Sequence, residues 1–308
     1  MSAPSSLLTP GRLGLAAALV TVAIWTTWIT TSRMVMEGSA ALDPALLAFL
    51  RFGTATLLLA PLWWRFRAIP RKAPPLALLG LLCAGLPYQF MVLQGLHHAP
   101  AAEAGPMLAG SLPLFIALLS ALVLRERLGR GRILGVGLIT VGVLCILGQG
   151  LGDLIAGTWR GHLLLLGASC SWAIYTLAYR YSGLNGLQAT AFVGLWSTLL
   201  LLPLAGAQVA AAWQATPATV LLQQTLVQGV MSGVVALLTY TVALKHLGPA
   251  RTTAVTALTP VFVTLAAVLL LGEGLHLPGV IGCALVVTGV LVTSGLRLRG
   301  LIGARPPA

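Results

Sequence analysis

The chain has 308 residues, of which 58% are hydrophobic and only 8% are charged. A soluble domain carries about 25% charged residues, so this composition excludes an ordinary soluble protein and predicts an integral membrane protein. The 18 Lys and Arg residues outnumber the 6 Asp and Glu residues and give a net charge of +12. These cations are too few to form a continuous phosphate-binding face, so we expect no nucleic-acid partner.

Apolar runs follow one another along the whole chain and leave no segment long enough for a soluble domain. A helix that crosses a bilayer needs about 20 apolar residues to span about 30 Å of hydrocarbon. The sequence therefore predicts an all-α integral membrane protein with ten transmembrane helices. In chain order the predicted spans are 13–32, 44–64, 75–96, 102–124, 131–149, 161–180, 187–207, 220–244, 250–271 and 278–296.

The basic residues between these spans indicate the orientation of the chain. With the N-terminus inside, 15 Lys and Arg residues fall on the cytoplasmic side, only Arg33 and Arg160 fall outside, and Arg51 lies within the second span. The positive-inside rule therefore places both termini in the cytoplasm. We interpret the basic excess as a topology signal that also contacts anionic lipid.

An internal repeat relates residues 13–149 to residues 161–297. A shift of 147 residues carries Trp25 onto Trp172, Arg33 onto Arg180 and Glu126 onto Glu273. Each unit holds five predicted spans, and this odd number inverts the second unit relative to the first. Inverted repeats are typical of alternating-access transporters, whose substrate site lies between the halves near the middle of the membrane.

The duplicated motifs resemble a known family. Pro113–Phe115 and Pro260–Phe262 are each followed by an apolar run, a glutamate and a Gly-rich helix, and Arg51 and Phe52 lie together in span two. This order is similar to the EamA-like branch of the drug/metabolite transporter superfamily. The resemblance implies ten helices, a cavity lined by spans three, four, eight and nine, and export of small metabolites. It also implies a bacterial inner-membrane location and amino acids, aromatic or otherwise neutral, as the small-molecule substrate.

Aromatic side chains give the first candidate site residues. Trp25 and Trp28 lie on one face of span one, and Trp172 and Tyr175 lie on the matching face of span six. One interpretation is a belt at the membrane interface, and another is packing between helices. Because the tryptophans at 25 and 172 lie near the middle of their runs, lining of a central cavity is a third.

Arg51 and Glu103 are the charged candidates within or at the edge of a span. Arg51 is either a counter-ion for a substrate carboxylate or a structural residue paired with a carboxylate or with freed backbone carbonyls. Glu103 could bind a substrate amine, pair with Arg51, carry a coupling proton or lie in water near the outer mouth. Pro106 and Pro113 predict a kinked span four with carbonyls free to meet a ligand.

Uncharged polar residues on inward faces complete the candidate cavity, although some of them could instead be interhelical hydrogen bonds. They are Tyr88, Gln89, Gln228, Ser232, Thr239 and Thr256. Recurrent glycines in spans five and ten predict close helix packing, or alternatively a homodimer face. They are Gly135, Gly142, Gly282 and Gly289. Glu126 and Glu273 lie in loops, and we interpret them as structural terminators or gate contacts.

Three classes of function remain after these observations. The chain has no phosphate-binding loop for ATP, so a secondary transporter is the leading hypothesis. A passive channel or facilitator is the second, and an intramembrane enzyme is the third. His97 and His98 point to different faces and the four cysteines have no ligand spacing, so we expect no metal and no cofactor.

Overall fold

A computed structural model describes residues 10–37, 41–66, 70, 72–152 and 157–294. These residues form helices joined by short turns, and no strand occurs among them. The apolar helices, numbered in chain order, are α1 (Pro10–Met36), α2 (Pro44–Leu58), α3 (Pro75–His98), α4 (Ala101–Leu122), α5 (Arg130–Gly148), α6 (Thr158–Ser182), α7 (Gly186–Ala215), α8 (Ala218–Gly248), α9 (Arg251–Leu271) and α10 (Leu277–Thr293).

Eight of these helices are long and apolar enough to cross a bilayer, and α2 and α10 are shorter. The predicted second span, 44–64, is interrupted at Leu59 and continues as a short helix, Ala60–Phe66. Pro61 explains the interruption, because a proline has no N–H to donate to the carbonyl four residues earlier. The end of the predicted tenth span, beyond residue 294, lies outside the described residues.

The helix pairs follow the internal repeat. Helix α1 packs against α8, and the equivalent α6 packs against α3. The remaining close pairs are α2 with α7, α4 with α9 and α5 with α10, and each of these joins a helix to its own repeat counterpart. The molecule is therefore held together by contacts between the two halves.

Glycines bring α5 and α10 into backbone contact. A Cβ atom built on Gly135 would lie 2.7 Å from the carbonyl oxygen of Gly289, and one on Gly142 would lie 2.6 Å from that of Gly282. From the first contact to the second, the residue number rises along α5 and falls along α10, so the two helices are antiparallel. The glycine pattern that suggested either packing or a homodimer face is used here for packing within one chain.

Prolines and glycines interrupt helices near the centre of the molecule. Pro106–Gly110 in α4 and Thr225–Val235 in α8 form π-helical segments, while α3 has a turn at residues 83–85. The carbonyl of Leu108 in the α4 segment accepts a hydrogen bond from the Ser169 hydroxyl at 2.9 Å. At this position the loosened helix therefore contacts α6.

Candidate functional site

Two adjoining cavities lie between the halves of the molecule. Their volumes are about 70 Å³ and about 60 Å³. Both cavities are lined by Arg51 of α2 and Trp172 of α6, so these side chains separate two parts of one central space.

Aromatic rings form a row along this space. The ring centroids of Trp28 and Tyr88 are 6.2 Å apart, those of Tyr88 and Trp172 are 4.8 Å apart, and those of Trp172 and Tyr175 are 5.2 Å apart. All four rings line one or other part of the cavity, and so does Trp25. The row therefore gives the cavity an apolar wall in which indole and phenol groups supply a few polar atoms.

Arg51 lies against this row. Its guanidinium carbon is 4.5 Å from the centre of the Trp28 ring, and the residue is 8% exposed. Such a stack stabilises the cation but leaves its N–H groups free to donate. The Nη1 atom is buried and has no hydrogen-bond partner among the described residues. Neither expected structural partner, a carboxylate or a backbone carbonyl, meets this atom there.

Gln228 of α8 fixes the position of Trp28. The Trp28 Nε1–H donates to Gln228 Oε1 at 2.7 Å, and Gln228 Nε2 donates to the Ser32 hydroxyl at 2.9 Å. Gln228 and Trp28 are both buried. Gln228, predicted as a cavity residue, thus acts on the cavity through the indole that it holds.

Two buried hydroxyls face the cavity without a partner among the described residues. Ser232 lines the part beside Tyr175, and Thr259 lines the part beside Trp25. A buried hydroxyl left unpaired costs free energy, so both groups are suited to hydrogen bonds with a bound solute. No acidic side chain lines either part in the described chain, and Arg51 therefore makes the site electropositive.

Glu103 lies elsewhere, in a buried pair between α4 and α6. His162 Nε2 is 2.5 Å from Glu103 Oε2, and the two residues are 0% and 7% exposed. Glu103 therefore contacts His162 instead of Arg51 or open water. Sequence reasoning missed His162, because its place near the start of a predicted span suggested an interfacial residue.

The remaining predicted polar residues do not line the cavity. Gln89 is completely buried and lines neither part of the cavity. The Thr239 hydroxyl lies 2.7 Å from that of Thr21, which joins α8 to α1. Thr256 donates to carbonyls of its own helix at 3.1 and 3.2 Å. Thr239 and Thr256 therefore make hydrogen bonds within the helical framework, whereas the buried Gln89 amide has no partner among the described residues.

The model of the EamA-like transporter family matches this chain twice, at residues 12–148 and 159–295. A relative from Bacillus subtilis (strain 168), named as the uncharacterized transporter YetK, is 24% identical over 210 residues. The alignment covers 67% of this chain and 63% of the relative, so it spans less than two thirds of the relative's length. Both names describe transporters.

A solved structure shares the arrangement of helices. This crystal structure, described simply as that of a protein, matches 92% of the present chain and 97% of its own chain, with a TM-score of 0.60. The two sequences are 22% identical. At that identity the likeness shows the fold alone.

Proposed function

The chain belongs to the EamA-like transporter family, and we propose on that basis that it exports amino acids by alternating access. It is a multi-pass membrane protein that moves a small solute, and lipid surrounds its apolar helices. The proposal adds the substrate class, aromatic or other neutral amino acids, and the site, which is the cavity around Arg51 and Trp172.

We propose ten spans in two inverted repeats, residues 13–149 and 161–297, with both termini in the cytoplasm of a bacterium. Two observations support this topology. Helices α5 and α10 are equivalent in the two repeats, and they pack antiparallel, as expected if the second repeat is inverted in the membrane. The described helices also pack in repeat-related pairs. The basic residues concentrate on one side of the predicted spans, as the positive-inside rule requires of a cytoplasmic face.

The buried Nη1 atom of Arg51, which has no hydrogen-bond partner among the described residues, is the observation that carries the substrate proposal. A buried cation is stabilised by a counter-charge, and no acidic side chain lines the cavity in the described chain. A carboxylate on the solute would supply the charge and accept the free Nη1–H. The Ser232 and Thr259 hydroxyls offer neutral acceptors for an amine.

The row of rings favours an apolar or flat side chain on the same solute. Tyr88 and Trp172 are in contact with each other, and both line the part of the cavity that Arg51 borders. A solute whose carboxylate meets the guanidinium therefore brings its side chain against these rings. Aromatic pairs contribute about 0.5–1.5 kcal/mol beyond area burial. A basic side chain would lack an acidic partner there and is expected to bind less well.

The test is counterflow in liposomes that contain the purified protein. Labelled phenylalanine outside should accumulate when unlabelled phenylalanine is inside, and phenylalaninamide, which lacks the carboxylate, should not compete. Arg51→Met should raise the KM for phenylalanine about 10- to 100-fold, since a hydrogen bond to a charged group contributes about 1.5–3 kcal/mol. Arg160→Met is the matched control, because Arg160 also stacks on an indole, that of Trp159, away from the cavity.

Two results would contradict the proposal. A flux that never saturates and shows no acceleration by solute on the far side identifies a passive channel. Equal competition by phenylalanine and its amide in the parent protein removes Arg51 from substrate recognition. A broader panel of leucine, lysine and glutamate, each with and without a pH gradient, defines the side-chain preference and the coupling ion.

A further inference from the structure

We propose that two repeat-related charge pairs, Arg33–Glu273 and Arg180–Glu126, are alternating gates on opposite faces of the cavity, and that the structure has the first sealed from water and the second exposed and weakly held. This inference rests on the proposed alternating-access function. Each pair joins an arginine of one repeat to a glutamate of the other. The 147-residue shift exchanges the pairs, since it carries Arg33 onto Arg180 and Glu126 onto Glu273.

The first pair is closed and sealed from water. Arg33 Nε is 3.4 Å from Glu273 Oε1, and the two side chains are only 12% and 11% exposed. Glu273 also accepts the backbone N–H groups of Ala101 at 2.9 Å and Ala102 at 2.8 Å. The glutamate therefore binds the first turn of α4, where a carboxylate is favoured by the helix dipole.

The second pair is also within ion-pair distance, but it is exposed to water. Arg180 Nη1 is 3.8 Å from Glu126 Oε1, and these side chains are 56% and 40% exposed. No described backbone N–H contacts Glu126 in the way that the start of α4 contacts Glu273. An exposed pair of this kind contributes about 0–1 kcal/mol, so it holds the two halves together only weakly on this face.

The backbone that presents the two glutamates is the same in both repeats. Arg125 and Gly272, which the shift relates, both have left-handed φ values, of 54° and 67°. The N–H of Glu126 donates to the carbonyl of Ser120, and that of Glu273 donates to the carbonyl of Ala267, in each case six residues back. The structure is therefore prepared to form the same gate on either face.

The Glu103–His162 pair adds to closure on the face of Arg33. It lies two residues along α4 from the N–H groups that Glu273 binds, and it also joins the two repeats. The shift places Leu15 at the position of His162, so the opposite face has no equivalent pair. This asymmetry favours the state in which the cavity opens on the face of Arg180.

Two repeat-matched cysteines can report the gates without any substrate. Ile29 lines the cavity one helical turn below Arg33, and Thr176 lies one turn below Arg180. In a background with the four native cysteines replaced, Ile29→Cys or Thr176→Cys is labelled with a membrane-impermeant maleimide from each face of sealed vesicles. The parent should protect Ile29→Cys from the face of Arg33 and expose Thr176→Cys on the other.

Glu273→Gln should raise labelling of Ile29→Cys about 10- to 100-fold and lower that of Thr176→Cys, because hydrogen bonds to a charged group are lost. Glu126→Gln, the matched control, should leave Ile29→Cys protected. Glu273→Asp, which keeps the carboxylate, should retain part of the protection, and this separates a gate from misfolding.

Equal labelling of Ile29→Cys in the parent and in Glu273→Gln would overturn the gate proposal. So would a rise in labelling of this cysteine in Glu126→Gln that equals the rise in Glu273→Gln. These results are distinct from failure of the substrate proposal. An absence of amino-acid counterflow with the expected labelling rejects the substrate and leaves the gate intact.

Discussion

Replacing Gly142 with alanine is expected to loosen the contact between α5 and α10. The added Cβ would lie 2.6 Å from the carbonyl oxygen of Gly282, which is 0.8 Å short of the 3.4 Å at which ordinary contact begins. It would also lie 2.9 Å from the backbone nitrogen of Val286. Backbone atoms cannot turn away as a side chain can, so the helices must separate, and overpacking of this kind costs about 1–3 kcal/mol.

Gly137 on the same helix supplies the control, because a Cβ there would meet nothing within 4 Å. Both replacements gain the same helix propensity, up to about 1 kcal/mol. The difference between the two variants in free energy of unfolding, measured by titration with sodium dodecyl sulfate from a mild detergent, should therefore be about 1–3 kcal/mol. Equal stability of the two variants would refute the packing argument, and loss of dimers with unchanged stability would assign this glycine to an intermolecular face.

Three further changes test other parts of the structure. Gln228→Leu removes the acceptor of the Trp28 indole N–H. Because a buried unpaired donor costs about 1–3 kcal/mol, this change should raise the transport KM about 5- to 100-fold in counterflow. An unchanged KM would show that the indole is held by packing alone. Thr21→Val and Thr239→Val should show a coupling of about 0.6 kcal/mol in a double-mutant cycle of unfolding, and additive effects would contradict their hydrogen bond. Arg125→Gly should stabilise the protein by about 1 kcal/mol and Gly272→Ala should destabilise it, because both positions have left-handed φ values that favour glycine. A lower melting temperature for Arg125→Gly, or a higher one for Gly272→Ala, would contradict this.

Membrane class, helix locations and the repeat could be predicted because each depends on composition or spacing along the chain. The family match confirms the predicted EamA-like resemblance. The break at Leu59 was missed, since an apolar run continues through it and the effect of one proline depends on its hydrogen-bond register. The glycines of α5 predicted close packing, but a partner helix in the same chain and one in another chain would need the same surface.

The candidate site was harder to predict than the helices. An arginine in an apolar run attracts notice, but its stack on Trp28 joins residues from different helices that no local pattern connects. The pairing of Glu103 with His162 has the same cause. The four residues of the proposed gates could be predicted together from the sequence. The repeat carries one arginine onto the other and one glutamate onto the other, so a contact on one face implies an equivalent contact on the opposite face. The sequence could not show which of the two contacts is sealed from water, because that depends on how the helices pack.

Under the proposed alternating access, the position of Arg51 has an electrical consequence. When access to the cavity changes sides, a fixed charge near its centre comes under the potential of the other face, even if its atoms hardly move. One full charge carried through the field changes the energy by about 2.3 kcal/mol per 100 mV. A neutral amino acid enters with both a carboxylate and an ammonium group, so it leaves the net charge of the site unchanged. Membrane potential should therefore act alike on the switch of the loaded protein and on the return of the empty protein.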